Sequence, residues 1–270
     1  MHAANSALGA AAAPVMGLPA GGTAALSKRN TWVYIAFKVL TLAIFDRAIF
    51  VIFLLHKGFS PYQIGMLQSI FFLANILTEV PAGMFGDAVG RKWSVLSGGV
   101  AYCLYAAGTI FSDGFAMFVA LYALLGVALS LVYGSDIALL YDSLVLDQRA
   151  DDFNRIQLKA NAFGLISGAF AVLIGGALQK LSWNAVYGAY FSINLIALLV
   201  WCFAYEPPVA QHERVKKAVL RELGLFIKRD WRKVAFPILG VTAFSACMSP
   251  FYTFSQALFN GNGFSVQHIT

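Results

Sequence analysis

Six ionisable side chains stand inside long apolar stretches: Lys38, Asp46 and Arg47 in the first, Glu79 in the second, Asp136 and Asp142 in the fourth. Charges at membrane depth are costly, so each is by default a candidate for function. Carboxyl groups held away from water can bind and release protons near neutral pH. That is the chemistry of a proton-coupled carrier, with Asp46 and Glu79 as the best proton sites and Lys38 and Asp136 beside them. Arg47 is then either a counter-ion or the contact for an anionic solute. The same groups could instead form a static lattice of ion pairs between helices. A second constellation is the polar run Gly83-Met84-Phe85-Gly86-Asp87-Ala88-Val89-Gly90-Arg91-Lys92, wedged between two apolar stretches where water must reach it.

The elements that carry these residues are apolar segments near 33–55, 63–85, 94–112, 115–140, 158–180, 183–205 and 234–258. A helix needs about 20 apolar residues to cross a hydrocarbon core, and each segment supplies them. A chain that is 59% hydrophobic and 12% charged is not a soluble globular domain. The fold class expected is all-α, a polytopic helical membrane protein. The segments lack the alternating pattern of a β-barrel. In a continuous first helix, Asp46 lies roughly 20 Å along, past mid-membrane, and Arg47 projects about 100° away from it. Lys38, Glu79 and Asp136 each sit five or six residues from the cytoplasmic end of their own span. They are therefore expected to share one depth and to form a Lys–carboxylate cluster.

The net charge of +6 does not point to nucleic acid. With a cytoplasmic N-terminus, the inner side receives Lys28, Arg29, Arg91, Lys92, Arg149, Arg155, Lys159 and the eight Lys and Arg between Arg214 and Lys233. Only Lys57 and Lys180 fall outside, which is the positive-inside asymmetry. Cys103, Cys202 and Cys247 all lie in apolar spans without metal-ligand spacing, and read as buried packing thiols. His2, His56, His212 and His268 fall in tails or loops, so no catalytic constellation, metal site or cofactor is expected.

Two stripes organise the helices. Gln68, Asn75 and Glu79 lie within about 40° of one another on the second span, with Phe72 on the same strip. They line either a water-filled cavity or an interhelical hydrogen-bonded seam. Gln157, Asn161, Gly164, Gly168 and Gly175 share one face of the fifth span, where small residues favour close helix packing over solute contact. Glu206-Pro207-Pro208 stops the sixth helix. The boundaries expected are a disordered cytoplasmic tail at 1–31, a six-helix bundle at 32–205, a basic cytoplasmic linker at 206–233, and a seventh helix with the start of an eighth at 234–270. The linker reads either as an amphipathic helix on the membrane surface or as a solvated connection.

The run from Gly83 to Lys92, with its G-x-x-x-D-x-x-G-R-K spacing, resembles the signature loop of the major facilitator superfamily of secondary transporters. The resemblance implies a conformational gate on Gly83, Asp87, Gly90, Arg91 and Lys92, with the Gly allowing close helix contact and the charges forming a relay. Phe85 and Ala88 depart from the usual pattern. Gly134-Ser135-Asp136-Ile137-Ala138-Leu139-Leu140-Tyr141-Asp142-Ser143 is similar to a segment of a bacterial subgroup, whose members also show Glu79-Val80-Pro81-Ala82-Gly83. The fifth span lacks the Gly-Pro signature, and the fourth lacks the Arg, of the drug antiporters of the family. Gly58-Phe59-Ser60 and Gly263-Phe264-Ser265 echo each other at the entry of the second helix of each half. The resemblance thus implies the first half of a two-half transporter, with the rest of the second half as its missing partner. It implies a small-molecule substrate, protons and the lipid bilayer as partners, and the bacterial cytoplasmic (inner) membrane as location. The function expected is secondary transport by alternating access; a membrane scaffold or sensor, or an inactive remnant of a transporter, is the alternative.

Overall fold

The structure, a computed structural model, describes residues 20–207 together with 235–236, 239–240, 242–244, 247–248, 251, 253–259 and 261–262. The basic stretch from Arg214 to Lys233 and the echo at 263–265 lie outside the described residues. Eight α-helices run through 20–207: α1 (Ala20–Thr41), α2 (Phe50–His56), α3 (Pro61–Val89), α4 (Arg91–Phe111), α5 (Phe115–Val132), α6 (Ser135–Leu146), α7 (Phe153–Gln179) and α8 (Trp183–Cys202). A 3-10 turn at Ala150–Asp152 precedes α7. Five helical segments are long and apolar enough to cross a membrane: 61–89, 91–111, 115–146, 150–179 and 183–202.

Local chemistry sets the boundaries. Ser60 caps α3 by accepting from Gln63 N while the Gln63 side chain accepts from Ser60 N, and Pro61 sits where a missing N–H costs nothing. Gly90 alone separates α3 from α4; its φ of +118° is strained for any residue with a Cβ.

Two expected spans are interrupted. The first is not one helix over 33–55: it unwinds across 42–49 between α1 and α2. The fourth breaks at Gly134, φ +86°, so that Asp136 falls in the first turn of α6. A third correction concerns the tail. Helix α1 begins at Ala20, so residues 20–31 are helical rather than disordered. The side chain of Asn30 explains part of this, donating to Ser143 Oγ at 2.6 Å and Tyr205 O at 2.8 Å while accepting from Tyr205 N at 2.8 Å.

The bundle pairs α3 with α5, α4 with α5 and α8, and α1 with α6, α7 and α8. Its core has two centres. One gathers Ile49, Phe53, Phe118 and Tyr187 near the loop that follows α2; the other gathers Phe37, Val95, Leu140 and Trp201 near the turn at Gly90. Asp46 and Arg47 stand on the unwound stretch, flanked by Phe45 and Ile49 of the first centre. Outward faces remain apolar, as Leu73, Ile76, Leu77 and Val80 on α3 and Leu165, Phe170 and Leu173 on α7 show. Lipid tails serve as solvent for such faces, provided every backbone group is satisfied inside. Cys103 is buried, whereas Cys202 and Cys247 are exposed on the protein surface, because their helix positions point away from the packed core.

Candidate solute cavity and its charged flanks

The break in the first span opens a cavity of about 450 Å³. Asp46, Arg47, Gln68, Tyr102, Tyr105, Tyr122 and Tyr190 supply its polar lining, and Ile44, Phe50, Phe71, Leu125 and Leu129 its apolar walls. Asp46 is buried and its carboxylate meets the Tyr187 hydroxyl behind the lining. Arg47 is exposed toward the cavity. A concave, mostly apolar pocket with a few convergent polar groups is the usual form of a small-molecule site.

The unwound backbone approaches α7 where the glycine stripe lies. A Cβ on Gly168 would stand 3.0 Å from Leu42 O, and one on Gly175 would overlap Phe45 O. A Cβ on Gly164 would collide with the Leu42 side chain. These three glycines therefore face the first span, and Gly175 faces its unwound part.

Lys38 and Asp136 meet across α1 and α6 at 2.6 Å, both buried. The Lys38 ammonium also lies 5.3 Å from the Tyr133 ring centroid and 5.7 Å from that of Tyr34, close enough for cation–π attraction. Asp136 Oδ1 accepts from Ile137 N at 2.7 Å. Glu79 does not join them; it is exposed on α3. The expected three-member cluster is thus a pair, because equal depth does not give equal azimuth. Thr78 and Asn75 turn toward α5, and Glu79 projects about 100° further round the helix than Thr78.

The polar stripe on α3 divides accordingly. Asn75 donates to Ser130 Oγ at 3.0 Å and Ser130 Oγ donates to Asn75 O at 2.9 Å, with Thr78 joining at 2.9 Å. That is a hydrogen-bonded seam. Gln68 lines the cavity and Glu79 is exposed.

At the turn between α3 and α4, Gly83, Gly86, Asp87, Arg91, Tyr133, Gly134 and Ser135 line a cleft of about 140 Å³. The close approach there is made by Gly86, where a Cβ would stand 2.9 Å from Ser135 Oγ; at Gly83 it would meet open space. The close helix contact expected at Gly83 is therefore supplied one turn on, by Gly86. Arg91 pairs with Asp142 of α6. Glu206 Oε1 accepts from Arg91 N at 3.0 Å and Glu206 Oε2 from Lys92 N at 2.6 Å. Lys92 Nζ donates to Cys202 O at 2.8 Å. One loop thus ties α4, α6 and the end of α8 together.

A match decides the family. The model of the Major Facilitator Superfamily matches residues 36–269. The chain belongs to this superfamily. It is an integral membrane protein of a transporter family. No curated protein matches it. The superfamily match begins within α1 and takes in both constellations of charge.

Two functional residues carry roles that the sequence does not assign. Asp142 stands among the intramembrane charges, but its partner Arg91 is not visible from sequence. Glu206 reads as part of a Glu-Pro-Pro helix stop, whereas its carboxylate caps α4, four helices and more than 100 residues back in sequence. Its negative charge faces orphan N–H groups and the positive end of the α4 dipole. Glu206→Ala is expected to lower stability by about 1–2 kcal/mol, the usual size of a lost N-cap. Thermal unfolding of the detergent-purified protein measures it, and an unchanged Tm would contradict the cap.

Proposed function

We propose that this superfamily protein moves a small solute by alternating access, coupled to a proton gradient, with the Asp46–Arg47 cavity as the solute site. The observation that carries the reading is the placement of one buried carboxylate and one exposed guanidinium on an unwound stretch beside a 450 Å³ cavity. Half-helices at membrane depth are tolerated where they line a cavity, and transporters commonly place solute and ion sites on such breaks. Asp46 is the proton site, Arg47 the contact for solute or counter-charge, and the Lys38–Asp136 pair a second buried charge on the same helix.

Gly83, Asp87, Gly90, Arg91 and Lys92 serve as the conformational gate. Ion pairs and caps that join α4, α6 and α8 hold one arrangement, and exchange to the other must loosen some of them. Lys28, Arg29, Arg91, Lys92 and Arg149 stand at the end of the bundle where Asn30 joins Tyr205, and Lys57 and Lys180 at the other. This charge asymmetry supports a cytoplasmic N-terminus; the proposed location is a bacterial inner membrane.

The test is uptake into sealed vesicles containing the reconstituted protein, with a pH gradient of either sign and pooled metabolites outside. The wild type is expected to accumulate or expel at least one solute, and Asp46→Asn to abolish gradient-driven flux while leaving protein yield unchanged. Equal flux in Asp46→Asn would remove Asp46 from the coupling. No flux of any solute in the wild type would count against the carrier reading.

A further inference from the structure

The segment that carries Asp46 and Arg47 is held from a helix more than 200 residues away. Gln256, buried within the helical segment 253–259, accepts from Val51 N through Oε1 at 3.3 Å and donates to Arg47 O through Nε2 at 3.1 Å. Those two backbone groups are each other's partners in an uninterrupted α-helix, where N–H of residue 51 bonds C=O of residue 47. The carboxamide is therefore inserted into one rung of the helical ladder, satisfying both halves of the bond it separates. Side-chain insertion of this kind is a recognised cause of helix breaks. On either side of the rung the backbone already bonds helically, Phe50 N to Asp46 O at 2.8 Å and Phe53 N to Ile49 O at 3.0 Å.

We propose that Gln256 is a positioning residue and a switch for the solute site: with its carboxamide inserted, the 47–51 rung is open, and when it withdraws the rung closes and the first span winds further. Both states satisfy the same donor and acceptor, which membrane depth demands, so neither carries the penalty of orphaned backbone groups. That near-balance is what a two-state element needs. Winding turns Asp46 and Arg47 about the helix axis relative to Gln68, Tyr122 and Tyr190. A displacement of the 253–259 segment thus changes the charge presented in the cavity. The link to transport rests on the alternating-access reading; the switch itself does not.

Hydrogen–deuterium exchange of the full chain in lipid nanodiscs tests it, read on the peptide spanning residues 45–53. Gln256→Leu removes both bonds, and Gln256→Asn is one methylene too short to make both while remaining polar and easier to fold. Both variants are expected to slow exchange of this peptide about fivefold or more, as the rung closes on itself. Unchanged or faster exchange in the variant that folds would overturn the proposal, since a lost tertiary bond alone loosens the segment. The measurement needs no solute. Slowed exchange with absent flux would therefore sink the carrier reading and leave the switch standing.

Discussion

Replacing Asp136 by alanine is expected to cost about 3–5 kcal/mol of stability, the loss found when one member of a buried ion pair is removed. Asp136 has no exposed surface, and Lys38 lies 2.6 Å away with little more. The deleted carboxylate leaves an ammonium in the core, where no water can replace its partner. The tyrosine faces of Tyr34 and Tyr133 retain only part of the attraction. Lys38→Ala is expected to do similar damage by stranding the carboxylate. The double change Lys38→Met with Asp136→Leu is expected to recover most of the loss, because apolar side chains of similar volume need no partner. Thermal unfolding of the purified protein gives all three values. Double and single variants equally unstable would show that volume rather than charge holds α1 against α6.

Gly175→Ala is the second large effect. A Cβ there overlaps Phe45 O, a backbone atom of the unwound stretch that cannot swing aside as a side-chain tip can. Overpacking of this kind costs about 1–3 kcal/mol or more, and here it also displaces the neighbours of Asp46. Gly188→Ala is the control, since a Cβ at that position meets nothing within 4 Å. The expected result is a Tm several degrees lower for Gly175→Ala than for Gly188→Ala, with Gly175→Val poorly folded. Equal Tm values would mean that α7 and the break separate freely.

Much of this architecture is legible in the chain. The second, third, fifth and sixth spans announce themselves by length and by their stops, Ser60-Pro61 before one and Ser182 before another. The glycines of α7 are visible as a stripe. Their partner is not, because residues 42–49 carry no Pro or Gly to announce a break. The contacts at the break are tertiary: a close approach at Gly175, and a hydrogen bond from a glutamine far along the chain. Gly134 is a visible glycine, but a single glycine in an apolar run does not declare a positive φ. Glu79 shows the limit of depth arguments, since position along a helix leaves the angle round it undetermined. Glu206 shows the converse, a residue whose local role as helix stop hides its long-range role as cap.

Side-specific alkylation of the cavity tests the central claim most directly. Leu125 lines the cavity, and Leu125→Cys, with Cys103, Cys202 and Cys247 changed to Ser, places a single thiol there. A membrane-impermeant maleimide is applied separately to each face of reconstituted vesicles. If the cavity opens alternately, the thiol reacts from both faces, and Arg91→Ala changes the ratio of the two rates by weakening the tie to Asp142. Reaction from one face only, with a ratio indifferent to Arg91, would contradict alternating access.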